Sequence, residues 1–574
     1  MNIIQGIPAS RGIAAGPAFH YQKMNIEVPD RCNCDPVVEW ERLQRAISGA
    51  ESQLQEVYEI TLRQAGKSQA EIFQAHLMML TDPDLLEAVQ TALQDRGCNA
   101  ELALFNATQE YARIMEGLPD EYLRARAADI RDVADRLLRI LLDMPDDPAQ
   151  HLNEPSIILA EDLAPSDTAA LDKAMVLGFC TTLGGPTAHT AILARSLGLP
   201  AVVGTNYDFS TVPEGAPLLM DGFNGTLVVA PDAETSNRYE SKGKSLGALL
   251  AAAQEKAGQP VVTLDGLHVE VVANIGGVND AKKAVKLGAE GVGLLRTEFL
   301  YLDSDHLPDE DEQYRAYREI VEVFGERPVV LRTLDIGGDK ELPYLKPIPE
   351  MNPFLGLRAL RLCLSRPELF RPQLRAALRA GVGRNLKLMF PMVATPGEVR
   401  AGRALLEQCR QELRSEGKPT ADHMEIGIMV EIPAAAVCAD QLAKEVDFFS
   451  IGTNDLCQYT MAADRTNANV AGLASAFQPA VLRLIQMVIE AGHRHGKWVG
   501  MCGELAGEPL ALPILLGMGL DEFSMNAPAI PFAKQILRSL RQDELRALAQ
   551  DALHCESPEA VQDLVRRRIP QADL

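Results

Sequence analysis

The sequence predicts an α/β multidomain protein, with a C-terminal (β/α)8 barrel and an N-terminal α/β domain that carries an inserted helical bundle. Three observations predict it. Over the last ~300 residues, eight apolar β-type runs alternate with helical stretches, the count and length of a TIM barrel. Between residues 35 and 142, Leu, Ala, Gln and Glu dominate, Gly and Pro are sparse, and apolar side chains recur at helical spacing. On both sides of that block the chain is β-prone and rich in turn residues, as if one α/β unit had been split by an insertion. At 574 residues the chain also exceeds one ordinary domain.

Taken in order, residues 1–20 set Ile3, Ile4, Ile7 and Ile13 among Gly6, Gly12 and Gly16, which reads as a short strand or hairpin. In the helical block, Ile72, Phe73, His76, Leu77 and Leu80 show the spacing of packed antiparallel helices. Short strands follow at 156–159, 175–178, 201–204, 217–220 and 226–229, with one helix at 190–197. Residues 231–258 are polar, then Ala-rich, and predict a helical linker. The barrel strands are predicted at 269–275, 291–295, 329–333, 386–392, 426–430, 448–452, 498–501 and 522–525. The expected domains are therefore 1–20 with 146–230 as the α/β unit, 21–145 as the helical block, 231–260 as the linker and 261–574 as the barrel.

Composition narrows the function. With 55 Lys+Arg against 79 Asp+Glu the net charge is −24, which argues against nucleic acid as a partner. No apolar run approaches ~20 residues, so neither a signal peptide nor a membrane span is expected. Ten scattered cysteines suit a reducing cytoplasm, and the lone Cys32-x-Cys34 pair reads as surface thiols rather than zinc ligands.

The most informative stretch is Gly184-Gly185-Pro186-Thr187-Ala188-His189-Thr190-Ala191-Ile192-Leu193-Ala194-Arg195-Ser196. Two glycines turn the chain and a helix begins near Thr190, so His189 sits at a helix N-terminus. The helix dipole there disfavours imidazolium and leaves a neutral nitrogen as nucleophile. The free N–H groups of the first turn suit a phosphoryl group. A lone histidine is usually a cap or a loop residue; two preceding glycines and flanking threonines make a carrier the better reading.

This stretch resembles the phosphohistidine motif of phosphoenolpyruvate-utilising enzymes. Segments 291–300, 335–340, 352–356, 446–455 and 500–506 extend the likeness along the whole chain, which resembles Enzyme I of the bacterial phosphotransferase system. The resemblance implies Mg²⁺-dependent transfer of phosphate from phosphoenolpyruvate to His189, with release of pyruvate. Transfer would continue to the histidine phosphocarrier protein HPr, the first step of sugar uptake. It also implies that the α/β unit is the phosphohistidine domain, that residues 21–145 bind HPr, and that the barrel binds phosphoenolpyruvate and forms a cytoplasmic homodimer.

Residues at predicted strand ends fill out the site. Planar cationic forks suit phosphate and carboxylate, and Arg296 and Arg332 stand at neighbouring strand ends. Asn274 and Asn454 also end apolar strands and read as part of the site, and the resemblance adds Lys340, Arg358 and Arg465 to the substrate pocket. Glu431 and Asp455 end consecutive strands and make a metal pair suited to Mg²⁺, although each could instead cap the helix that follows. Cys502 could be a small buried hydrophobe; the resemblance favours a thiol that protonates the enolate of pyruvate. Thr168 could N-cap a helix, whereas the resemblance implies that it orients His189. Pro186, Ala188 and the stretch 474–480 depart from the usual form of the family.

Two other readings compete. A pyruvate-phosphate dikinase or phosphoenolpyruvate synthase relative would carry a nucleotide-binding domain, and no G-x-x-x-x-G-K loop occurs. A non-catalytic sensor would have lost one of His189, Glu431, Asp455 or Cys502, and all four are present.

Overall fold

The computed structural model describes residues 1–574 apart from 22–25, 65–66, 118–120, 145–151, 153, 164–173, 186–188, 303, 305, 338–349, 466, 468–469 and 573–574. The chain divides into two compact units, Met1–Ser245 and Leu246–Leu574.

In the first unit, strands from both ends of the segment join one sheet. The strands are β1 (Asn2–Gln5), β2 (Ile7–Ser10), β3 (Ile13–His20), β4 (Ser156–Ala160), β5 (Val176–Thr181), β6 (Ala201–Val203), β7 (Pro217–Asp221) and β8 (Thr226–Val229). Their order is β1-β8-β7-β3-β4-β5-β6-β2. The start of the chain thus supplies three strands, not the single strand or hairpin expected. None of the three pairs with another: β1 joins β8, β2 joins β6, and β3 lies between β7 and β4. Gly12, at φ +143, permits the break between β2 and β3.

Alternation along β4 sets the two faces of this sheet. Ile157 and Leu159 pack with Val202 and Met220 on one side. Ile158 and Ala160 pack on the other with Phe179 and with Ala191 and Ala194 of the helix His189–Leu197. Those two alanines, three apart on one helix face, hold the helix against the sheet.

The inserted block contains α1 (Pro36–Gln64), α2 (Lys67–Leu80), α3 (Pro83–Arg96), α4 (Ala100–Glu116) and α5 (Glu121–Leu141). Leu43, Leu54, Phe73, Val89, Leu104 and Leu137 share its core. Asp82 N-caps α3 and Gly97, at φ +56, C-caps it, so the boundaries follow ordinary capping chemistry.

In the second unit, β10 (His268–Ile275), β11 (Val292–Leu295), β12 (Val329–Arg332), β13 (Leu386–Phe390), β14 (Ile426–Val430), β15 (Phe448–Ile451), β16 (Trp498–Met501) and β17 (Glu522–Asn526) pair in parallel. β10 pairs with both β17 and β11, which closes an eight-stranded barrel. No predicted barrel strand is displaced by more than two residues. A short β9 (Val261–Val262) pairs antiparallel with β10 outside the barrel. Outward side chains join the large core under the helices, while Leu294, Val330, Met389, Met429 and Phe448 fill the interior. All eight strands run the same way, so their C-terminal ends open on one face.

Candidate functional site

His189 is the first residue of the helix His189–Leu197. The first turn of a helix leaves its N–H groups without intrahelical acceptors. Thr190 beside it is buried, and its hydroxyl has no hydrogen-bond partner among the described residues. Pro186 and Ala188 lie outside the described residues, as does Thr168.

At the C-terminal face of the barrel, strand ends bring buried opposite charges together. Arg332, the last residue of β12, donates to Glu298 Oε1 at 2.8 Å and lies 3.3 Å from Asp335 Oδ2. Arg358 is 2% exposed. It grips Asp335 with two bonds, Nε to Oδ1 at 2.9 Å and Nη2 to Oδ2 at 3.1 Å, and reaches Asp455 Oδ1 at 3.3 Å. Asp335 therefore bridges the two guanidiniums. Arg465 approaches the same Asp455 oxygen at 3.8 Å and is half-buried.

The backbone is shaped to present these groups. Ala359, directly after Arg358, has φ +52 and Met392 has φ +56, both in the left-handed region that non-glycine residues avoid. The Met392 N–H donates to Glu431 Oε1 at 2.6 Å. Beneath them, Thr297 Oγ1 donates to the Arg332 carbonyl at 3.0 Å, and Gln373 Nε2 donates to Thr297 Oγ1 at 3.1 Å. These buried links fix the turns after β11 and β12.

Electrostatics single out Glu431 and Cys502. Burial pushes Glu431 up to about 8, and Asp455 and Asp335 push the same way against Arg332 and Arg358. Burial pushes the Cys502 thiol up to about 12, opposed by Ser450 and Arg332, so it keeps its proton at neutral pH. For Arg358, burial alone would lower the pKa; Asp335 and Asp455 outweigh it, and the group stays charged.

Among the buried polar atoms here with no hydrogen-bond partner among the described residues, two belong to charged side chains: Arg332 Nε and Glu431 Oε2. A cationic donor and a carboxyl oxygen left open in one site are what a phosphorylated ligand with a metal ion would occupy. Glu431 and Asp455 fit Mg²⁺, which takes one or two carboxylates and keeps its remaining positions for water and substrate oxygens.

Of the predicted residues, the structure brings together Arg332, Arg358, Glu431, Asp455 and Arg465. Cys502 follows β16, two strands along from Glu431. Asn454 is half-buried, and its Oδ1 accepts from the Glu504 N–H at 3.2 Å. Arg296 is exposed at the end of β11, with no ion pair among the described residues. Lys340 lies outside the described residues. Glu298 and Asp335 were not foreseen. Charge accounting could have found them, since two arginines at buried strand ends require counter-charges.

Residues 251–542 match the family described as PEP-utilising enzyme, PEP-binding domain. Residues 5–126 match its N-terminal region and residues 152–225 its mobile domain. The chain belongs to the PEP-utilising enzyme family, and within it to the phosphoenolpyruvate-protein phosphotransferases. The protein of that name from Geobacillus stearothermophilus is 48% identical over 564 residues, 98% of each chain. Its counterpart from Bacillus subtilis (strain 168) is 47% identical over 566 residues, 99% of each chain. That from Staphylococcus carnosus (strain TM300) is 46% identical over 562 residues, 98% of each.

Proposed function

We propose that the barrel mouth binds phosphoenolpyruvate and that His189 takes its phosphoryl group. The observation that carries this reading is the pair of unpartnered buried atoms, Arg332 Nε and Glu431 Oε2, inside a lattice of arginines and carboxylates. The guanidiniums of Arg332, Arg358, Arg296 and Arg465, with Lys340 and Asn454, bind phosphate and carboxylate. Glu431 and Asp455 would hold Mg²⁺, which would neutralise charge on the phosphoryl oxygens.

The His189 imidazole, oriented by Thr168, attacks phosphorus in line. The N–P bond forms as the P–O bond to the enol oxygen breaks. The departing enolate takes a proton at carbon from Cys502, whose thiol is protonated at neutral pH, and leaves as pyruvate. The phosphohistidine then passes its phosphate to HPr, docked on the helical block of residues 21–145, in the first step of sugar uptake in the cytoplasm. The barrel forms the homodimer contact.

Incubation with phosphoenolpyruvate and Mg²⁺ should release pyruvate and leave an acid-labile phosphate on the protein. Chelation should stop both. No pyruvate under any metal condition overturns the reading. Cys502→Ala should slow pyruvate formation by at least ~100-fold while changing phosphoenolpyruvate affinity little, the usual reach of a general acid. Unchanged turnover would return Cys502 to the role of a packing residue.

A further inference from the structure

Along β16, β17 and β10 the barrel interior carries polar side chains below the mouth. Alternation points Gly500 and Cys502 of β16 and its continuation inward, with Glu522 and Ser524 of β17, and Glu270 and Asn274 of β10. Glu522 is 3% exposed, and its Oε1 has no hydrogen-bond partner among the described residues. It forms no ion pair there either, since Lys387 pairs with Glu425 at 2.8 Å. A barrel core normally places Val, Ile or Leu at such a position, so this carboxyl calls for a reason.

Two glycines make room for it. A Cβ on Gly293 or on Gly500 would lie 2.7 Å from Glu522 Oε1. Gly500 precedes Cys502 by two residues in the same inward row, so the carboxyl stands one layer below the thiol. Polar groups continue from that level. Ser524 Oγ donates to Asn274 Oδ1 at 2.6 Å, and Asn274 Nδ2 donates to the Cys502 carbonyl at 3.0 Å. The Ser450 hydroxyl, buried on β15, flanks the thiol. In the other direction, Glu522 is in register with half-buried Glu270 on β10, toward the N-terminal face of the barrel.

We propose that Glu522 recharges Cys502 with a proton between turnovers, and that Glu270 connects it to solvent at the face opposite the substrate. This rests on the reading of Cys502 as the acid that protonates the enolate. Each turnover moves one proton from sulfur to carbon and leaves a thiolate. The thiolate takes the proton of the Glu522 carboxyl through a bridging water, and the carboxylate takes one from solvent by way of Glu270. The charge balance favours that direction. Burial, then Glu270 and Asp521, push Glu522 up to about 8 against Lys387, which keeps it protonated at neutral pH. The thiol lies higher still, at about 12, so its thiolate is the stronger base. The ionisable groups facing Glu522 are Glu270, Lys387, Asp521 and Cys502.

Glu522→Gln tests this, because glutamine copies the protonated acid in shape but has no proton to pass on. Protein equilibrated in H₂O is mixed with phosphoenolpyruvate and Mg²⁺ in D₂O and quenched after one turnover. Wild type should give mostly CH₂D-pyruvate, because the thiol exchanges through Glu522. The variant should give mostly CH₃-pyruvate in the first turnover and at least tenfold slower later turnovers, with the KM for phosphoenolpyruvate within twofold. Glu522→Asp should restore exchange in part. Equal CH₃ to CH₂D ratios in wild type and Glu522→Gln overturn the relay, as does an equal slowing of first and later turnovers. If instead wild type makes no pyruvate, or Cys502→Ala makes it at the full rate, the reading of the site itself has failed.

Discussion

His189→Ala should take no phosphate from phosphoenolpyruvate and should fall on the order of a thousandfold or more in pyruvate formation, the scale seen when a covalent carrier is removed. The expectation rests on position. His189 opens the helix His189–Leu197, which Ala191 and Ala194 fix against the sheet. A neutral imidazole at a helix start is both a nucleophile and a neighbour of free N–H donors. The alanine variant should keep its fold, because alanine is the best helix former. Thermal unfolding close to wild type would show that the loss is chemical. The barrel should still bind phosphoenolpyruvate, so titration with the substrate separates binding from transfer. A fragment of residues 1–250 should accept phosphate from phospho-HPr but not from phosphoenolpyruvate. Labelling of His189→Ala at the wild-type level would remove the carrier role from this residue.

The barrel was legible because parallel strands covered on both faces read as continuous apolar runs. β14, Ile-Gly-Ile-Met-Val, is buried at every residue and falls on its predicted bounds. The start of the chain was harder. Its strands are short and broken at Gly6 and Gly12, and their partners lie about 200 residues away, as in the pairing of Asn2 with Val229. Local texture cannot show such pairings. In the site, charged residues that directly end a strand were found, because an apolar run stopping on Arg332 or Glu431 is unusual. Asp335 and Glu298 sit in turns just past strand ends, where acidic residues are common. Only the fold shows that they face buried guanidiniums. Glu522 was read as the first residue of a strand. Its inward direction follows from barrel register, which one strand does not carry by itself.

Asp335→Asn should be the most damaging single change at the barrel mouth outside the reacting groups. Asp335 is 1% exposed and holds Arg358 with two bonds while facing Arg332. Asparagine keeps the volume but loses the charge and can accept through only one oxygen. Breaking a buried pair from one side leaves the other charge uncompensated, at a cost of about 3–5 kcal/mol. Part of that loss should appear as stability, with thermal unfolding of the barrel lowered by roughly 5–10 °C. The rest should appear in function. Freed from Asp335, Arg358 retains the Tyr459 hydroxyl at 3.4 Å and the Asp455 carboxylate at 3.3 Å, and would draw that carboxylate from its proposed metal role. The Mg²⁺ needed for half-maximal labelling should therefore rise, together with the KM for phosphoenolpyruvate. Glu298→Gln is the natural comparison. It removes one charge from Arg332, which still has Asp335 at 3.3 Å, so its effect should be smaller on both counts. Measured side by side, a Glu298→Gln defect equal to or larger than that of Asp335→Asn would show that Asp335 is not the bridge on which the two arginines depend.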